Sequence, residues 1–229
     1  MSGRQGALGQ LEARLGHRFS QPELLKQALR HRSAAHERMV PSSERLEFLG
    51  DAALSHAVAA LLFARWPDAS EGDLTRARAA LVREASLAAL AERLGLAAAL
   101  ELGSGLREGA APPAVLADAL EAVLGALLLD GGWRSLRAAV KRLVSPLLAT
   151  LDLAQLALEE PKSTLQELAQ KQGLPLPVYR EVETRGPAHQ RVYVFEVEFG
   201  GRVLARGEGP SKKTAQQEAA RRALQEFEL

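Results

Sequence analysis

The sequence predicts two domains, an all-α domain followed by a smaller α+β domain with the order α-β-β-β-α. Three observations lead to this division. Apolar residues recur at helical spacing over roughly the first 150 residues. Beyond residue 160 the pattern changes to strand-like alternation that ends in a last helix. Of the 229 residues, 47% are hydrophobic and only 4% aromatic, and this mixture is rich in the helix-favouring residues Ala and Leu.

The composition excludes several classes of site. The chain has no cysteine, which excludes disulfides and thiolate ligands and is typical of a reducing compartment. The net charge is +1, so any evidence for nucleic-acid binding must be local. The N-terminus resembles neither a signal peptide nor a transit peptide, and apolar runs such as 122–129 are too short to span a bilayer. We therefore expect a cytoplasmic protein with no membrane partner.

The first domain is expected to be built from helices, several of which have recognisable ends. Pro41, Ser42 and Ser43 precede one helix as an N-cap, and Ser70 and Asp73 have the spacing of a capping box before the next. No convincing strand pattern occurs in this part of the sequence. The predicted helices are 8–15, 23–30, 44–66, 72–94, 115–130 and 133–149.

The second domain is expected to place its helices on one face of an antiparallel sheet. Residues 191–199 alternate, so that Phe195 and Val197 face one side while Val194 and Glu196 face the other. Gly200 and Gly201 predict a two-residue hairpin turn. The predicted elements are helix 164–172, strands 178–184, 191–199 and 202–206, and helix 211–227. The predicted domains are 1–152 and 161–229, joined by a linker at 153–160.

Two predicted helices of the first domain each carry a stripe of acidic residues. Glu44, Glu47 and Asp51 fall within about 60° on one helical wheel. Asp118 and Glu121 are the only charged residues of the apolar stretch 115–129 and also lie about 60° apart on a helix. Either stripe alone is compatible with a solvent-exposed face. Two stripes on Ala/Leu helices favour a shared site for a hard divalent cation such as Mg²⁺, whereas the lack of Cys and of a close His pair argues against zinc.

Three other side chains in this domain are candidates for a role. Phe48 lies near the acidic stripe and away from the predicted core side, which indicates either a contact with another chain or a residue at the fringe of the core. We interpret His31 and His56 as structural residues rather than ligands.

Several motifs together resemble one known family. The segment SSERLEFLGDAAL at 42–54 closely resembles the signature of ribonuclease III. Segments 29–33, 71–76 and 116–132 resemble further conserved segments of that family, and all occur in the family's order. The C-terminal module resembles a double-stranded RNA-binding domain. The resemblance therefore covers essentially the whole chain and implies an all-α endonuclease domain followed by an α+β double-stranded RNA-binding domain.

The resemblance also implies an activity and a set of metal ligands. The expected protein is a Mg²⁺-dependent endoribonuclease that cleaves double-stranded RNA, leaves 5′-phosphates and short 3′ overhangs, and accepts Mn²⁺ in place of Mg²⁺. Its expected role is the processing of ribosomal and other RNAs. The residues that match the family's metal-binding carboxylates are Glu47, Asp51, Asp118 and Glu121, with Asp51 and Glu121 at the catalytic positions.

Other implied roles concern RNA and a second copy of the chain. Glu44 and Glu71 match acidic residues that help to place RNA or the partner subunit, and Phe48 matches an aromatic residue in the interface of a homodimer. In the second domain, a helix, a loop between two strands and the start of the last helix match the surfaces that read duplex RNA by shape. The residues concerned are Thr164, Gln166, Glu167, Gly186, Pro187, Ala188, His189, Ser211, Lys212 and Lys213.

One segment departs from the family, and two rival functions are compatible with parts of the sequence. Family members carry several basic residues in the loop that corresponds to 103–113, where this chain has only Arg107. This difference bears on RNA affinity near the acidic helices. The first rival is a non-catalytic RNA binder or ribosome-associated protein, which is expected to have lost some of the acids. The second rival, a helical metal-binding protein without an RNA role, leaves the second domain unexplained.

Overall fold

A computed structural model describes residues 2–105 and 111–227. Arg107 and the middle of the basic-poor loop, residues 106–110, therefore lie outside the described residues. The chain divides into two compact units, Met1–Ala69 with Ala77–Leu151 and Ser70–Arg76 with Asp152–Leu229. The fold class is confirmed, because a helical part precedes a part with a three-stranded antiparallel sheet and flanking helices. The domain boundaries stay a prediction.

The regular secondary structure of the described chain before residue 160 consists of α-helices, apart from a single bridge between Arg30 and Glu101 and a 3₁₀ turn at Leu96–Ala98. Its core lies between the long helices α4 and α7, with α6 and α2 packed against α7. The helices are α1 (Ser2–Leu15), α2 (Pro22–Ala28), α3 (Arg32–Arg38), α4 (Glu44–Arg65), α5 (Glu71–Val82), α6 (Glu84–Leu94), α7 (Pro113–Thr150) and α8 (Leu153–Glu159).

The single helix predicted at 72–94 is wrong, because the chain breaks it at Arg83. The backbone of Arg83 is extended, with φ −64° and ψ 151°. Leu81 and Leu87 lie on either side of the break, and both are buried. In an uninterrupted helix two residues six positions apart point about 120° away from each other. The break lets both leucines reach the core, which periodicity within one helix could not indicate.

Two short helices were not predicted as helices. Helix α3 has little apolar periodicity, but the His31 side chain caps it by accepting a hydrogen bond of 3.2 Å from the backbone N–H of Ser33. Helix α8 occupies most of the predicted linker 153–160. Asp152 caps it by accepting hydrogen bonds from the backbone N–H groups of Ala154 and Gln155, so the linker contains a helix of its own.

Helix α4 has the length and composition of a helix that could cross a membrane. One face of it packs against α7, and Val58 and Leu62 are completely buried. Glu44, Glu47 and Asp51 interrupt its apolar surface. These features are typical of the core helix of a globular domain.

Helix α7 bends where the sequence predicts an interruption between two helices. Gly132 has φ +70° and ψ −178°, a conformation that favours glycine and redirects the helix. Just before the bend, the nearly buried carboxylate of Asp130 accepts hydrogen bonds from four groups in residues 17–21. They come from the His17 ring (2.7 Å), the Ser20 hydroxyl (2.7 Å) and the backbone N–H groups of Ser20 (3.0 Å) and Gln21 (2.8 Å). Asp130 thereby ties α7 to the segment between α1 and α2.

Asp130→Asn is expected to lower the free energy of unfolding by about 2–4 kcal/mol at pH 7. Burial by itself raises the pKa of Asp130, but the hydrogen bonds from His17, Ser20 and Gln21 outweigh it and hold the pKa well below its usual range. A lowered folded-state pKa stabilises the fold above the ordinary value of 3.8, and this contribution is lost as the pH falls below it.

Urea unfolding of the wild type and of Asp130→Asn at several pH values between 7 and 2 measures this effect. The difference in the free energy of unfolding between the two proteins should become smaller as the pH falls below about 4. Asp68→Asn is the matched control, because Asp68 is exposed and lies between helices. Equal stability of Asp130→Asn and the wild type at pH 7 would contradict the assignment.

The second unit has the predicted α-β-β-β-α order. The strands pair antiparallel in the order β1-β2-β3, and Gly200 (φ +59°) and Gly201 (φ +81°) form the predicted hairpin turn. Phe195 and Val197 are buried as expected, but Val194 is buried as well, next to a register shift in β1. The elements are α9 (Pro161–Lys171), β1 (Val178–Arg185), β2 (Val192–Phe199), β3 (Arg202–Gly209) and α10 (Lys212–Phe227). Leu165, Val197, Phe199, Ala219 and Ala223 are among the residues of its core.

Candidate metal centre

Helices α4 and α7 cross with their backbones in direct contact, and a glycine from each helix makes this possible. A Cβ on Gly50 would overlap the backbone carbonyl of Glu121, and a Cβ on Gly125 would overlap that of Leu46. The sequence motifs alone do not assign a role to either glycine. A glycine inside an apolar helical run was the signal that could have indicated this close approach.

The crossing brings together three of the four predicted metal ligands. Carboxylate oxygens of Glu47, from α4, and of Asp118 and Glu121, from α7, all lie within 4.8 Å of one another. All three side chains are half-buried. The two acidic stripes therefore meet at one place, and oxygen ligands of this kind are those that hard divalent cations prefer.

The carboxylates of this group are close enough to disfavour one another's ionisation. Burial raises the pKa of Glu121 to about 7, and the charges of Asp51, Asp118 and Glu47 add to the effect. Burial, followed by the charge of Asp118, raises the pKa of Glu47. Burial also raises the pKa of Asp118. Bound cations would relieve this repulsion, so the electrostatics of the group favour a metal site.

The other predicted acidic residues do not belong to this close group. Asp51 is exposed on α4, one turn beyond Glu47, although its charge acts on Glu121. Glu44 is exposed in the first turn of α4 and accepts a hydrogen bond of 2.8 Å from the Ser42 hydroxyl. Glu71 lies in the first turn of α5, within the second unit, where it accepts a hydrogen bond from Thr75.

A cavity of about 200 Å³ lies next to the close group. His31, which we interpreted as structural, lines this cavity while its Nδ1 is 2.8 Å from the Ser33 hydroxyl. Burial lowers the pKa of His31, with the charge of Arg32 as the next cause. The charged and polar residues that line the cavity are His31, Arg32, Ser43, Glu44, Glu47 and Asp118.

The aromatic residue near the acidic stripe is on the surface. Phe48 is 82% exposed, which excludes the interpretation that it belongs to the fringe of the core of this single chain. His56 is also exposed, and its ring lies 4.9 Å from the ring of Trp133, so it is not part of the carboxylate group.

In the second unit, the predicted RNA-binding residues lie in three places. Thr164, Gln166 and Glu167 are on α9, but the Thr164 hydroxyl already donates to the backbone carbonyls of Ala157 and Glu160. Residues 186–189 connect β1 to β2, where Gly186, Pro187 and His189 are exposed, while the side chain of Ala188 lies outside the description. Gly186 has φ +81°, a conformation that favours glycine.

The third place is the start of α10, where fewer lysines and arginines are unpaired than the sequence indicates. The Ser211 hydroxyl caps the helix by accepting a hydrogen bond from the Thr214 backbone N–H. Lys212 pairs with Glu181 at 2.7 Å. Arg221 and Arg222 both pair with Glu218. Among the four basic residues of this helix, only Lys213 has no ion pair in the described residues.

Residues 21–147 match the family described as Ribonuclease-III-like, and residues 161–227 match the double-stranded RNA binding motif. The chain belongs to the ribonuclease III family. It is 44% identical over 221 residues to a Ribonuclease 3 from Thiobacillus denitrificans, which covers 95% of this chain and 96% of that protein. A Ribonuclease 3 from Bordetella petrii is 44% identical over 222 residues, covering 96% of this chain and 86% of that protein.

Solved structures of ribonuclease III lead to the same assignment for the helical part. The nuclease domain of ribonuclease III from Campylobacter jejuni is 36% identical, with a TM-score of 0.58 over 63% of this chain and 97% of that domain. A second structure of that domain, described by the flexibility of its dimer-forming region, is 37% identical, with a TM-score of 0.56 over 60% of this chain and 95% of that domain. The chain is thus an endoribonuclease of the ribonuclease III family that acts on double-stranded RNA, as predicted.

Proposed function

We propose that this ribonuclease III-family enzyme hydrolyses phosphodiester bonds of duplex RNA with divalent cations held by Glu47, Asp118 and Glu121. The close approach of these three carboxylates carries the proposal. Their donor atoms are all oxygens and their ionisation is mutually disfavoured, which fits Mg²⁺ and also Mn²⁺. Asp51, one turn along α4 from Glu47, is the fourth ligand in this proposal.

The chemistry divides between the cation and the protein. Mg²⁺ held by Glu47, Asp118 and Glu121 would supply an activated water and would offset the charge on the leaving 3′ oxygen. The chain holds the carboxylates in place through the glycine crossing of α4 and α7, so that little reorganisation is needed at the moment of reaction. Cleavage at the 3′ oxygen leaves a 5′-phosphate, and two offset cuts leave short 3′ overhangs.

The offset cuts require two copies of the chain, and we assign Phe48 to the homodimer interface. An aromatic side chain that is 82% exposed beside the carboxylates is suited to burial against a second protomer. The dimer-forming region named for the Campylobacter jejuni nuclease domain supports this assignment. Glu44 and Glu71 are proposed to help position RNA or the partner subunit.

The second domain is proposed to bind the duplex by shape, through α9, the loop at 186–189 and the start of α10. Exposed groups there include Gln166, His189 and Lys213. The N-terminus of α10 favours phosphate, and Lys213 adds positive charge there, whereas Lys212 would have to exchange Glu181 for a phosphate. In the cell we place the protein in the cytoplasm, where it processes ribosomal and other RNAs.

Cleavage of a labelled RNA duplex of about 30 bp, which exceeds one ~16-bp binding span, tests the proposal. Discrete 5′-phosphorylated fragments are expected with Mg²⁺ or Mn²⁺ and none with EDTA, as read on a denaturing gel. A DNA duplex of the same sequence is the control and should stay intact, because 2′-hydroxyl contacts distinguish the two nucleic acids.

The same assay distinguishes the proposed function from the rival function. An RNA duplex that stays intact with Mg²⁺ but shifts on a native gel would make the protein a non-catalytic reader of duplex RNA. Equal cleavage in EDTA and in Mg²⁺ would instead contradict the metal site alone.

A further inference from the structure

Arg32 lies at the boundary between the carboxylate cavity and the open surface. It is an exposed residue in the first turn of α3. Its side chain lines the 200 Å³ cavity that also contains Glu47 and Asp118. It lines as well an open groove of about 950 Å³ between α3 and residues 39–44. Arg32 and Glu44 line both spaces, so a ligand that extends from the groove into the cavity lies beside Arg32.

The guanidinium of Arg32 is unpaired within the described part of the chain. No hydrogen bond or ion pair to it occurs among residues 2–105 and 111–227. The neighbouring arginines are bound differently, since Arg30 and Arg38 both donate to the buried carboxylate of Glu101. The charge of Arg32 does act on Glu47 and Asp118, where it lowers the pKa of each carboxyl against the larger effect of burial.

The surroundings favour a polyanionic ligand for this arginine. An exposed guanidinium that faces carboxylates without pairing with any of them has all its N–H donors available. Guanidinium groups bind phosphate oxygens through two parallel hydrogen bonds. In addition, the loop 103–113 leading into α7 offers one basic residue, Arg107, so little other positive charge is supplied by that segment.

We propose that Arg32 binds a backbone phosphate of the RNA duplex at the mouth of the carboxylate cavity. This proposal rests on the proposed function, because it needs duplex RNA at the close group. Arg32 is then a positioning residue: it holds the strand in register with the cations and offsets the repulsion between the carboxylates and the incoming phosphate. It performs no proton transfer.

Arg32→Gln and Arg32→Lys test this role through the salt dependence of binding and cleavage. Arg32→Gln is expected to raise KM about tenfold, with a smaller change in kcat, and to lower the slope of log KM against log salt by about one. Arg32→Lys should restore most of the slope, because the charge is kept, but only part of the affinity, because the bidentate geometry is lost. Arg137→Gln is the matched control, since Arg137 is exposed on α7 beyond the bend at Gly132.

The outcomes separate this proposal from the proposed function. A wild-type protein that cleaves the duplex, with Arg32→Gln identical to it in KM and salt slope, overturns the role of Arg32 alone. An Arg32→Gln protein that loses thermal stability but keeps its salt slope would show that Arg32 only offsets repulsion between Glu47 and Asp118, which also overturns the proposal. If the wild type does not cleave, the proposed function fails, and the salt slope of duplex binding in EDTA still tests Arg32.

Discussion

Glu121→Gln is expected to reduce the rate of duplex RNA cleavage by about a thousandfold or more, because a catalytic cation contributes several kcal/mol to the transition state. Glu121 is the most strongly perturbed carboxylate of the close group and has Glu47 and Asp118 within 4.8 Å. The substitution keeps the size of the side chain and removes the charge. Single-turnover cleavage at saturating Mg²⁺ measures the effect, and a native gel should show unchanged binding of the duplex.

Glu121→Gln is also expected to stabilise the fold when no cation is present. The folded-state pKa of Glu121 is raised from the ordinary value of 4.5 to about 7. The folded protein therefore binds more protons than the unfolded chain between these values, and its stability falls as the pH rises through this window. In EDTA at pH 8 the variant should be more stable than the wild type by about 2 kcal/mol after allowance for solvent screening, and the difference should vanish near pH 4.

Glu92→Gln is the matched control for both measurements. Glu92 is exposed on α6, and Glu92→Gln removes one negative charge without altering the carboxylate group. It should leave the cleavage rate and the pH dependence of stability unchanged. Full activity of Glu121→Gln, or a variant less stable than the wild type in EDTA at pH 8, would contradict the placement of Glu121 in a repulsive metal site.

The acidic stripes show how much of the site could be predicted from the sequence. The helical wheels place Glu44, Glu47 and Asp51 on one stripe and Asp118 and Glu121 on the other, because position on a helix depends only on spacing. The resemblance to ribonuclease III assigns four of these five residues as metal ligands, and one of the four, Asp51, is exposed one turn away from the close group. Which carboxylates come within a few ångströms depends on where two helices cross, and this lies beyond the periodicity of either helix.

The fold was predictable wherever local signals agree with the packing. The hairpin at Gly200 and Gly201 and the bend at Gly132 follow from residues that accept left-handed conformations. The break at Arg83 has no such residue and depends on the burial of leucines on both sides of it. Contacts distant in sequence decide features of this kind, so a single sequence gives little indication of them.

The crossing itself gives the second large prediction, because Gly50→Ala should destabilise the protein by at least about 3 kcal/mol. An alanine in a helix is ordinarily more stable than a glycine by about 1 kcal/mol. At Gly50 the added methyl group would overlap the backbone carbonyl of Glu121, and a backbone atom cannot move aside as a flexible side chain can. The helices must separate, which removes buried contacts and pulls Glu47 away from Glu121.

Gly50→Ala should therefore lower both the free energy of unfolding, measured in urea, and the rate of Mg²⁺-dependent cleavage. Gly125→Ala, which meets the Leu46 carbonyl from the opposite helix, should behave in the same way. Gly9→Ala in α1 makes the same chemical change where the added methyl group would meet nothing beyond its own helical turn within 4 Å, so it should be neutral or slightly stabilising and fully active. A Gly50→Ala protein as stable as Gly9→Ala would mean that α4 and α7 do not touch at these glycines. The short distances between the carboxylates would then have another cause. In the present structure the glycines at the crossing allow α4 and α7 to approach closely, and this approach lets acidic residues from two helices share a cation.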